Sequence, residues 1–202
     1  MGQSNRQAVL RARIYVLSGF LPALIKFFVG CIGGGGFWCV SALYSVLLGL
    51  AKHEYKIYCT YKGEGFSVWK LLERTGLLLL LAGIVYGIYM CRLMFFQKNP
   101  VYEYYIGIPV VLVCFFDIGT AIRTVFRPMT SHEGTLPLLV RKLVGLAGAL
   151  PMMALAQIVL HTMLSDVQMS FYDGLTGGTI GMVIIGIGIW MLIYARGKKE
   201  NG

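Results

Sequence analysis

Residues 27–51, 143–165 and 174–195 each run for more than twenty positions without a charged side chain. A helix needs about 20 mostly apolar residues to cross the hydrocarbon of a bilayer. In that solvent every backbone N–H and C=O must be bonded within the segment, which leaves the α-helix as the local structure. Residues 75–96 and 101–126 are also long enough, although the first contains Arg92 and the second Glu103, Asp117 and Arg123.

Composition points the same way. The 202 residues are 57% hydrophobic and 13% charged, whereas a soluble domain has about 45–50% apolar and about 25% charged residues. Too little polar surface remains to cover a water-soluble globule. A soluble enzyme, a disordered chain and a disulfide scaffold are excluded as classes.

The stretch 14–30, IYVLSGFLPALIKFFVG, is harder to place. One helix from 14 to 50 would measure about 55 Å at 1.5 Å per residue. The hydrocarbon is about 30 Å thick, so the chain must turn. The four consecutive glycines Gly33 to Gly36 are the place where it can.

Basic residues fix the orientation. The formal charge is +9, and basic residues gather on the cytoplasmic side of membrane proteins. With both termini inside, only Lys26, Arg92 and Lys98 fall outside. The expected fold is therefore an all-α integral membrane protein of three helical hairpins, 14–50, 75–126 and 140–196, giving about six transmembrane helices. The alternatives are five spans, or four to five spans with a re-entrant or interfacial N-terminal helix. One domain covers 1–202. Residues 52–74 form a cytoplasmic loop, in which Phe66, Val68, Trp69, Leu71 and Leu72 among Lys70, Glu73 and Arg74 suit an interfacial helix. Residues 197–202 form a basic cytoplasmic tail. The outer turns 31–36, 97–101 and 165–174 are short. The absence of an Asn-x-Ser/Thr acceptor fits a bacterial cytoplasmic membrane.

Candidate functional positions are the polar groups inside the spans, which are costly in lipid and mark functional positions by default. Asp117 lies toward the inner end of its run, as one partner of a structural salt bridge at the inner interface or as a proton or substrate site. Gln157 and His161, four apart, share one helix face. His161 is close to the outer surface, while Gln157 is deep enough to need a partner, either in an interhelical hydrogen bond or as a lining residue of a polar cavity open to the outside. Arg92 stands near an outer boundary, where it either snorkels outward or joins a vestibule with Glu103, Asp166 or Asp173. These four residues, Asp117, Gln157, His161 and Arg92, are the candidates for a ligand site or polar cavity. Asp117 and His161 belong to opposite depths and make no dyad. Pro22, Pro109 and Pro151 interrupt spans and either open a cavity or are tolerated bends.

Glycines four apart, among them Gly83 with Gly87 and Gly177 with Gly181, let helix backbones approach closely. They serve tight packing within the chain or a face for a partner subunit or second copy. His53 and Cys59 would be the base and nucleophile of an intramembrane peptidase, but no orienting group or oxyanion donor accompanies them. No P-loop, metal-ligand spacing or nucleic-acid-binding face occurs, so no cofactor, metal or nucleic acid is expected. In hydropathy the chain resembles the substrate-binding subunits of energy-coupling-factor vitamin transporters. It departs from their small-residue spacing on the first span, where Ser18, Pro22 and Lys26 stand. The expected function is transport or small-ligand binding, alone or as a transporter subunit. The alternative is a non-enzymatic scaffold of a secretion, envelope or defence system.

Overall fold

The computed structural model describes residues 20, 23–24, 27–28, 36–60, 67–96, 104–126, 135–164 and 170–199. They form five long helices: α1 (Gly36–Thr60), α2 (Val68–Phe96), α3 (Tyr104–Phe126), α4 (Thr135–Leu164) and α5 (Ser170–Lys199). Three of them contain stretches long and apolar enough to cross a membrane: Val68–Phe96, Thr135–Leu164 and Phe171–Gly197. The expected six spans are not supported. Most of residues 14–30, the additional arm, lie outside the described residues.

Part of that arm is placed nonetheless. The ring of Phe20 lies 3.1 Å from the point where a Cβ on Gly49 would stand. In one straight helix these two residues would be about 43 Å apart, so the chain reverses direction between them.

The hairpin layout needs a larger correction. α2 and α3 follow one another in sequence but do not pack together among the described residues, so 75–126 is not a packed hairpin. The most extensive helix pair joins α2 to α5, far apart in the chain. α2 and α4 form the centre, α1 and α5 flank them, and α3 packs on α4 alone.

Glycine explains the dominant pair. A Cβ on Gly188 would stand 2.8 Å from the Leu80 amide nitrogen and 2.9 Å from the Gly76 carbonyl oxygen. One on Gly181 would meet the Gly87 Cα at 3.1 Å, and one on Gly83 the Ile185 amide nitrogen at 3.0 Å. Further along, Gly177 faces Met90 and Gly174 faces Met94. The seam is antiparallel, and bare backbone on both sides lets the two helices meet without side chains between them. Gly83, Gly177 and Gly181 thus serve packing within the chain, whereas a Cβ on Gly87 would meet nothing within 4 Å among the described residues.

The 52–74 stretch is largely helix. Residues 52–60 complete α1 and 68–74 open α2, while 61–66 lie outside the described residues. Ser67 caps α2: its Oγ accepts from the Trp69 amide at 3.2 Å, and its carbonyl accepts from Lys70 and Leu71. No breaker separates this start from the apolar run, so the expected interfacial helix merges with it, burying Leu71 and Leu72. Arg74 on α2 reaches Glu54 on α1 at 3.2 Å across the same end.

The surface is apolar. Leu77, Ile84 and Ile88 of α2, Leu112 and Phe116 of α3, and Met182 of α5 are exposed. An outward apolar surface of this extent matches a lipid environment rather than water.

Candidate functional site

α4 ends and α5 begins at the same end of the bundle, and their polar residues meet there. Asp173 sits in the first turn of α5, not in a turn as expected, and its side chain is fully buried. A carboxylate in a helix's first turn is favoured by the helix dipole. Its Oδ1 lies 2.7 Å from Nδ1 of His161 and accepts from Nε2 of Gln157 at 3.1 Å. The amide of Gln157 also reaches Oγ1 of Thr176 at 3.4 Å, and that hydroxyl donates to the Tyr172 carbonyl at 3.0 Å.

Each group has a defined role. Against an ionised carboxylate, Nδ1 of His161 must carry the proton, and Nε2 then presents a lone pair. No described residue bonds to Nε2. The His161 side chain is 32% exposed while that of Asp173 is 0% exposed. A buried acid therefore orients an imidazole that still reaches the surface. The cluster can hold a proton or accept a hydrogen bond from a small polar ligand.

Gln157 and His161 are thus brought together as their spacing implied. Asp173, expected as a partner of Arg92, joins them instead, and Thr176 joins them without having been singled out. The signal was present: two polar residues four apart before the turn and two polar residues three apart after it face one another across an antiparallel pair.

Arg92 does not join them. It is exposed near the end of α2 and makes no hydrogen bond or ion pair among the described residues. Asp117 is elsewhere, half-buried on α3, where it acts on Lys52 of α1. Lys52 follows the apolar run that stops at Ala51. Burial pushes its ammonium below the ordinary lysine value, and the Asp117 carboxylate opposes that shift. His53 and Cys59 both ride on α1. Six residues of helix set them about 120° apart around the axis and about 9 Å apart along it, which is no geometry for a base and its nucleophile. Among the described residues no three His, Cys, Asp or Glu side chains gather as metal ligands.

No protein-family model, curated protein or solved structure matches the chain.

Proposed function

We propose that the chain is a small multi-pass membrane protein of the bacterial cytoplasmic membrane. It binds a small polar ligand at the Asp173–His161–Gln157 cluster, as a transport protein or a transporter subunit. The apolar outer surface and the three long apolar helices support the membrane location. The observation that carries the ligand reading is the buried Asp173 carboxylate holding a surface-reaching imidazole. A purely structural bond between α4 and α5 would not need an accessible, acid-oriented nitrogen. The ligand offers an N–H or O–H to Nε2, and the buried acid holds the ring in place to accept it.

The test uses the full chain in lipid nanodiscs, with thermal unfolding followed against a panel of small amines, amino acids, nucleosides and sugars. At least one class should stabilise the parent. His161→Gln and Asp173→Asn should abolish that stabilisation, while Asp117→Asn and Arg92→Ala retain it. Stabilisation that survives His161→Gln would remove the cluster from the site. No stabilisation by any class, with a membrane protein co-purifying at fixed stoichiometry, would favour the scaffold reading instead.

A further inference from the structure

A second polar grouping lies deeper in the bundle and owes its existence to one residue. Pro151 of α4 has no N–H, so the carbonyl of Ala147 loses its partner four residues on. Tyr44 of α1 fills the gap, and its hydroxyl donates to the Ala147 oxygen at 2.6 Å. From α2 the ring of Tyr86 packs on Tyr44 with centroids 5.5 Å apart and planes tilted at 54°. Tyr86 is only 3% exposed, yet its hydroxyl meets no hydrogen-bond partner among the described residues.

Three helices thus bring Tyr44, Tyr86 and Ala147 to one neighbourhood. The Ala147 oxygen has a second lone pair. The Tyr44 oxygen has given its proton away but still accepts. The Tyr86 hydroxyl keeps both its capacities. Burying a hydroxyl without a partner costs about 1–3 kcal/mol, and phenylalanine would fill the same volume without that cost. The α4 side is lined by small residues: Ala147 and Ala149 flank Gly148, where an added Cβ would meet only Leu48, at 3.6 Å.

We propose that Tyr44, Tyr86 and the Ala147 carbonyl form a binding site for a small neutral molecule that both donates and accepts hydrogen bonds, either water or a short hydroxyl-bearing solute. The molecule accepts from Tyr86 and donates to the Tyr44 oxygen or to the free lone pair of the carbonyl. A buried water makes about 2–4 hydrogen bonds, and these three groups supply that number. The ligand is neutral because the only charged residue among the described buried ones is Asp173, in the first turn of α5 and packed against the far end of α4. Ala147 lies about 15 Å along that helix from Gln157. The proposal is independent of the reading of His161.

The test again uses the full chain in nanodiscs. Hydroxyl radicals generated by X-ray pulses from bound water mark the side chains beside it, buried or not. Tyr86 should be marked, and Tyr86→Phe should lower the melting temperature by about 2–4 °C. Glycerol then separates the two sources. If it raises the melting temperature of the parent more than that of Tyr86→Phe, the ligand is a hydroxyl-bearing solute. Equal shifts assign the site to water. An unmarked Tyr86 in the folded protein overturns the proposal, as does a Tyr86→Phe variant at least as stable as the parent.

Discussion

The bond between Tyr44 and Ala147 is conditional on Pro151, which makes it separable from ordinary packing. In the parent, Tyr44→Phe removes the donor from a buried carbonyl and should cost about 1 kcal/mol. In a Pro151→Ala background the alanine N–H returns to that carbonyl, and the same change should cost almost nothing. Thermal unfolding of all four proteins gives the coupling directly. Lys52 offers a second test at this scale. Its folded form releases its proton at a lower pH than its unfolded form. Between those two values the unfolded chain binds more protons, so stability rises with pH across that window. Removing the opposing carboxylate with Asp117→Asn should widen the window toward lower pH. Acylation of Lys52 as a function of pH, read by mass spectrometry, would show a curve displaced to lower pH. An unmoved curve would mean that Asp117 does not act on this amine.

At the scale of helices, the α2–α5 seam depends on which glycine is replaced. Gly188→Ala drives a methyl into the backbone of α2 and should cost about 1–3 kcal/mol, the usual range for overpacking. Gly186→Ala, only two residues away, meets nothing within 4 Å. It should be neutral or stabilise by up to about 1 kcal/mol through helix propensity. Melting temperatures that fall equally in both variants would argue against this seam. The seam also marks the limit of what the residues alone disclose. Apolar run length was enough to find the helices, because a bilayer-sized segment without charge has few other conformations. The shared face of Gln157 and His161 was legible for a similar reason, since 3.6 residues per turn fixes it locally. Glycine spacing showed that backbones come close but not which backbone answers. That choice depends on complementary shape between segments a hundred residues apart. The start of α2 was missed because charged and apolar residues alternate just after Ser67, and only the cap shows that one helix runs through them.

At the scale of the whole molecule, α1, α3 and α5 run in one direction and α2 and α4 in the other, so the Glu54 end of α1 and the Arg74 end of α2 lie together. Phe20 against Gly49 brings the N-terminal arm back to nearly the same level. Reporter tags placed before Arg6 and after Gly202 should therefore report the same side of the membrane. Opposite sides would mean that the arm does not cross, and the assignment of depth to His161 and Asp117 would reverse its basis.

The pairing of α2 with α5 joins a helix to one translated about a hundred residues later. While α3 and α4 are being made, the bare glycine stripe of α2 has no mate, and α3, gripping only α4, gives it no cover. A ribosome that stops short of Ser170 would release a chain whose central rod is left open along its length. Cellular surveillance of unfinished membrane proteins would meet that rod as an orphan, so loss of the C-terminal helix should shorten the lifetime of the product far more than the loss of the N-terminal arm.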